Sequence, residues 1–178
     1  MAERFDELSD SLQEFIAAQK MFFVATAARE GSVNLSPKGY DSLRILNKHE
    51  LVWLNLTGSG NETATHLLDL DRMTLMFCAF EGLPKILRLY GTAETVHPGD
   101  DPWHEWLALF GNPVGSRQLF HMQIELVQTS CGYAVPFMDF VSERDTLKKW
   151  AEKKGEDGIK DYWSATNAIS LDGKKTDF

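Results

Sequence analysis

The stretch FFVATAAREGSVNLS, residues 22–36, decides the fold. Phe22 to Ala27 is an apolar run suited to a strand. Arg29-Glu30-Gly31-Ser32 reads as a turn, and Val33-Asn34-Leu35-Ser36 resumes extended chain. Two strands joined by a short Gly-containing turn predict an antiparallel hairpin. Pro37, Gly39 and Asp41 are expected to end its second strand. The same short connections recur outward from this point. Leu51–Leu56 reads as a strand, followed by a Gly/Ser turn and a short helix ending near Leu70. Met73–Phe80 is a nearly unbroken apolar strand turned by Glu81-Gly82-Leu83-Pro84. Ile86 opens a long strand to about Val96. Phe120, Met122, Ile124 and Leu126 alternate with polar residues, the period-two pattern of a half-buried strand.

Helices punctuate these strands. Phe5, Leu8, Leu12, Phe15 and Ile16 recur at helical spacing, with Ser11 and Glu14 in capping-box relation. Asp100, Asp101 and Pro102 open a helix carrying Trp103, Trp106, Leu107 and Phe110. A last helix is expected near Arg144 to Lys153, and Asp172 to Phe178 are expected to fray. The reading is six strands and about four helices. Short turns in place of helical crossovers favour a mainly β fold, an antiparallel sheet closed as a small barrel with peripheral helices.

The 178 residues predict one domain, residues 1–178, with a barrel over about 5–140 and a helical tail over about 141–178. Net charge is −8 with no basic stripe, which argues against nucleic-acid binding. No apolar segment is long enough to span a bilayer, and no membrane partner is expected. The acidic N-terminus (Glu3, Asp6, Glu7, Asp10) is unlike a signal peptide. Two cysteines without metal or redox spacing fit a cytoplasmic location without disulfides.

Four constellations can carry chemistry. In Asn34–Ser42, the segment Ser36-Pro37-Lys38-Gly39 at a strand end can hold a phosphate through a point charge and a hydroxyl; an exposed loop lysine is the ordinary alternative. Thr57, Gly58, Ser59, Asn61, Glu62 and Thr63 sit where a strand turns into a helix. Free N–H groups there can bind an anion, although Ser and Asn are also common helix caps. Walker and Gly-x-Gly-x-x-Gly spacings are absent, so neither a P-loop nor a Rossmann site is expected. Arg117-Gln118 opens the last strand, and Arg can pair bidentately with phosphate. Cys131, in QTSCGYAVP (128–136), reads as a small buried thiol without an activating partner. The default reading of Arg88 is a surface ion pair. The five His lack zinc-ligand spacing, so no metal is expected. No catalytic residue can be assigned.

The order of FFVATAAREGSVNLSPKGYDS (22–42), LTGSGNETATHL (56–67), RMTLMFCAFEGLPKILRLYGTAE (72–94) and RQLFHMQIELVQTSCGYAVP (117–136) resembles the pyridoxamine 5′-phosphate oxidase-like, flavin-binding split-barrel family, most closely a bacterial branch of it. The match runs from about Phe5 to Lys154. The resemblance implies a six-stranded split barrel that pairs as a homodimer, with FMN in a groove at the interface. It implies phosphate contacts from Ser36 and Lys38, and a cradle from Thr57, Ser59, Asn61 and Thr63. It further implies that Arg117 and Gln118 come from the partner chain; Gln118 is the residue expected to donate near the flavin's N1–C2 edge. The chain carries Asn61-Glu62 where the oxidase has basic residues, and its tail lacks the pyridoxine-recognising segment. The expectation is therefore an FMN-dependent oxidoreductase acting on some other small molecule. The alternative is a non-catalytic flavin, haem or F420 binding, storage or sensor protein, since one fold hosts several functions.

Overall fold

Alternation of apolar and polar residues folds the chain into one eight-stranded, wholly antiparallel sheet. The computed structural model describes residues 2–176. The elements in chain order are β1 (Glu3–Phe5), α1 (Asp10–Ala18), β2 (Phe22–Ala27), β3 (Val33–Lys38), β4 (Leu43–Asn47) and β5 (Glu50–Leu56). They continue with α2 (Glu62–Leu67), β6 (Arg72–Cys78), β7 (Ile86–Val96), α3 (Trp103–Ala108), β8 (Ser116–Ser130) and α4 (Thr146–Tyr162). A turn of π-helix, Trp163–Asn167, follows α4.

The sheet order is β3-β2-β6-β7-β8-β5-β4. The long strand β8 pairs along one side with β7, and along the other with β5 (Ser116 to Gln123) and then β1 (Val127 to Thr129). The sheet curls strongly. Phe22 of β2 meets Trp53 of β5 edge-on at 6.2 Å, although three strands separate them in the order. Inward residues of β2, β5, β6, β7 and β8, with Leu12 and Ile16 of α1, fill one core. Among the described residues no strand pair joins β3 to β4, so the curled sheet has a seam.

Among the described residues, eight strands replace the expected six. β4 is hidden in the sequence because LRILN lacks polar alternation and follows the turn signals Gly39 and Asp41; it forms because Leu43 and Ile45 pack on the core. β1 is three residues with an exposed pattern, and Phe5 belongs to it and not to a helix. The first helix begins at Asp10, capped by Ser9, whose Oγ accepts the Leu12 N–H, so Ser11–Glu14 is not its cap. Pro37 does not end its strand. It lies inside β3, an edge strand, where a missing N–H costs little. The last helix runs to Tyr162 and breaks at Gly155, which adopts φ 67°.

One glycine is forced by packing. A bulge separates Tyr90 from Gly91, and a Cβ at Gly91 would lie 1.9 Å from the Gln123 carbonyl oxygen. Cys78 is buried, whereas Cys131 is exposed, contrary to the expected buried thiol. It follows the last residue of β8, where the strand has left the core. Arg88 donates to the Ser130 hydroxyl at 3.3 Å in place of a surface ion pair. No helix among the described residues is long and apolar enough to cross a membrane. Residues 172–176, expected to fray, are tied back: Ser32 donates N–H and Oγ to Asp172 at 2.7 and 2.9 Å. The final residues of that expectation, Asp177 and Phe178, lie outside the described residues.

Candidate functional site

The seam opens into a cleft of about 320 Å³ between β3, the end of β5 and the turn before α2. Strand alternation builds its first wall. Asn34, Ser36 and Lys38 face inward from β3, while Val33, Leu35 and Pro37 face outward and are exposed. The second wall is Gly58 to Thr63, and the floor includes Asn55 and Arg117.

The cleft is electrostatically unbalanced. Arg117 is 3% exposed, and among the described residues neither it nor Lys38 forms an ion pair. Burial, and then the charge of Arg117, pushes the Lys38 ammonium down to about 8. Burial likewise pushes Arg117 down to about 10. Lys38 Nζ lies 5.1 Å from the Trp53 ring centre, a partial compensation for lost water. Buried charges are ordinarily paired, so unpaired, buried Arg117 beside half-buried Lys38 makes this cleft a candidate site for an anion.

Unpaired polar atoms point the same way. Ser36 Oγ, both side-chain polar atoms of Asn61, Arg117 Nε and Gln118 Nε2 are buried without a hydrogen-bond partner. Such groups are rare in folded proteins and cost free energy unless a ligand or water completes them. The set is rich in donors, as an oxyanion requires. A larger cavity of about 420 Å³ lies between the 110–115 loop and α4. Its lining residues include no orphaned buried polar atom, so the smaller cleft is the better candidate.

Eight residues expected at the site line this cleft: Ser36, Lys38, Gly58, Ser59, Asn61, Glu62, Thr63 and Arg117. Arg117, expected from a partner chain, reaches the cleft of its own chain. Its Nη1 donates to Asn167 Oδ1 at 2.7 Å and its Nη2 to the Gly60 carbonyl at 2.9 Å. Glu62, which lines the cleft, accepts the Leu171 N–H at 2.9 Å through Oε1. Four expected residues do not line the cleft. Pro37 faces outward, and Gly39 lies in a neighbouring pocket beside Lys20. The Thr57 hydroxyl is engaged elsewhere: it donates to the Gly115 carbonyl and accepts from Trp163 Nε1, each at 2.8 Å. Gln118 is fully buried and accepts from Asn55 Nδ2 at 3.1 Å, so it meets the cleft only through Asn55. The helix after the turn has six residues and Asn61 makes no side-chain cap, so little helix dipole acts here.

Asn55 and Asn167 lie outside the sequence expectation, and Asn34 belongs to the 34–42 constellation without being singled out in it. Asn34 shares the inward face with Ser36 and Lys38, and the period-two pattern is the signal that finds it. Asn167, 1% exposed, arrives from the tail, and no local pattern announces it.

The family model described as pyridoxamine 5′-phosphate oxidase matches residues 8–131. A curated relative, the pyridoxamine 5′-phosphate oxidase family protein ustO of Aspergillus flavus, is 33% identical over 189 residues, covering 95% of this chain and 75% of that protein. Among solved structures, a single-residue variant of HupZ from Group A Streptococcus superposes with TM-score 0.57 at 20% identity, covering 68% of this chain and 98% of that one. HutZ, the haem storage protein from Vibrio cholerae, superposes with TM-score 0.52 at 20% identity, covering 71% of this chain and 97% of that one. At these identities the two structures are evidence of fold.

Proposed function

Because the chain belongs to the pyridoxamine 5′-phosphate oxidase family, we propose that it binds FMN and acts as a flavin-dependent oxidoreductase on a small molecule. The observation that carries this reading is a pair of unpaired cations, buried Arg117 and half-buried Lys38, at a cleft edged by orphaned donors. These groups fit a phosphate monoester. Lys38 and Arg117 offset its charge, and Ser36 and Asn61 hydrogen-bond its oxygens. Asn55, oriented by Gln118, presents a neutral polar group further along the cleft. FMN supplies the redox chemistry when bound, and the protein supplies position and electrostatics.

A haem-binding reading has a structural relative behind it but less in the cleft itself. Among the described residues, no His, Cys or Met lines the cleft to serve as an axial ligand. What supports a homodimer is the outward face of edge strand β3, where Val33 and Leu35 are 74% and 62% exposed. A second copy of the chain is proposed to cover them. Sedimentation at micromolar concentration checks this, and a monomer would contradict it.

The purified protein's absorption spectrum tests the function. Two flavin bands, with FMN released by acid, are expected. Colourless protein that takes up no added FMN, or a haem Soret band, would overturn the reading.

A further inference from the structure

The family match ends at residue 131, yet the chain beyond it returns to the cleft. Asn167 stands at the centre of that return. Its Oδ1 accepts from Arg117 Nη1 at 2.7 Å, and its Nδ2 donates to the carbonyls of Gly58 and Ser59 at 3.1 and 3.2 Å. Arg117 Nη2 takes the next carbonyl, Gly60, at 2.9 Å. Three consecutive carbonyls of the turn are thus held on one side by two side chains.

The consequence follows from peptide geometry. In a trans peptide the C=O and the N–H of one unit point in opposite directions. Fixing the carbonyls of residues 58, 59 and 60 toward Asn167 and Arg117 turns the N–H groups of Ser59, Gly60 and Asn61 the other way. Those three N–H groups have no hydrogen-bond partner among the described residues. Successive amides aimed outward form a nest for an anion. Asn167 also fixes the plane of Arg117 without neutralising it, because an amide oxygen and a carbonyl carry no net charge. The guanidinium keeps its full positive charge and an unpartnered Nε for the cleft.

We propose that Asn167 is a positioning residue for the anion site, orienting both the Arg117 guanidinium and the peptide planes of residues 58–60. By this means the tail completes a phosphate site whose turn carries no basic side chain of its own. The proposal rests on the FMN reading above.

Binding of FMN and of riboflavin, which lacks the phosphate, to the full-length protein tests it. Asn167→Ala is expected to weaken FMN binding on the order of tenfold, the loss typical of a disrupted charge-assisted contact. Riboflavin binding should change less than about twofold, since the lost contact acts only on the phosphate. Asn167→Asp is isosteric and keeps the acceptor for Arg117, so it reports on the site even where the alanine variant folds poorly. It places a carboxylate on Arg117 and loses the donors to Gly58 and Ser59, so FMN binding should fall at least as far. Equal losses for FMN and riboflavin would assign Asn167 a merely structural role and overturn the proposal. So would a folded Asn167→Asp protein with unchanged preference for FMN. Wild-type protein with no preference for FMN over riboflavin would instead overturn the phosphate reading itself, and this inference with it.

Discussion

Half-buried Lys38 on β3 and buried Arg117 on β8 face one cleft as two cations, and among the described residues no carboxylate pairs with either. Glu62, the carboxylate that lines the cleft, is occupied by the Leu171 N–H. Burial depresses proton binding at both cations, and the charge of Arg117 depresses it further at Lys38. An anionic ligand relieves both at once.

Removing either charge should cost affinity for the phosphate and not for the flavin ring. Lys38→Met and Arg117→Met are each expected to weaken FMN binding by about tenfold to a hundredfold, the range for a charge-assisted contact at a partly desolvated site. Riboflavin binding should stay within about twofold. Fluorescence titration of both ligands checks this. Unchanged FMN affinity in both variants would remove the phosphate assignment.

Binding should depend on pH through Lys38. Without ligand its ammonium titrates at about 8, and a bound dianion raises that value. Below about 8 the amine is charged and affinity is full. Above it, affinity should fall by up to about tenfold per pH unit until the complex's own pKa is reached. Arg117, held at about 10, stays charged through most of this window. Titrations between about pH 7 and 9.5 should show the fall in wild type and a flat profile in Lys38→Met. A flat wild-type profile would contradict the assignment.

The same charge should weaken the ligand-free fold. The unfolded lysine titrates at about 10.4, and the folded one at about 8. Between these values the unfolded chain binds more protons, so stability rises with pH there. Below that window the charged amine is a standing cost. Lys38→Met should therefore raise the ligand-free Tm by about 2–4 °C at neutral pH while impairing binding. Thermal melts check it, and a lower Tm would show that Lys38 stabilises the fold.

Much of this architecture is legible in the chain because its pattern is short-range. The β2–β3 hairpin, β7 and β8 announce themselves by alternation and by the turns between them. Alternation also carries three side chains of β3 to one face, so Ser36 and Lys38 fall together from sequence. β4 and β1 do not emerge, because three to five residues without alternation leave no periodic signal. Pro37 misleads because its cost depends on whether a strand lies at an edge, which is a property of the sheet. Asn167 is the clearest limit. It lies 109 residues from Gly58, and nothing around it in the sequence distinguishes it from an ordinary tail asparagine. Thr57 has the right chemistry, but its hydroxyl is spent on Gly115 and Trp163, and Gln118 meets the cleft only through Asn55.

The curl of the sheet has its own test. Gly91→Ala places a methyl group 1.9 Å from the Gln123 carbonyl oxygen, a clash with backbone that no rotamer can relieve. The bulge must shift, at a cost of about 2 kcal/mol or more. Urea unfolding should show the loss as a lower midpoint. A variant as stable as wild type would mean that β7 and β8 are not in the register described.

The preference of the wild-type protein for FMN over riboflavin, measured at neutral pH by equilibrium titration, isolates the phosphate from the rest of the ligand. Lys38, Arg117, Ser36 and Asn61 together predict that FMN binds at least about a hundredfold more tightly. Equal affinity for the two, or no binding of either, would contradict a phosphate site in this cleft.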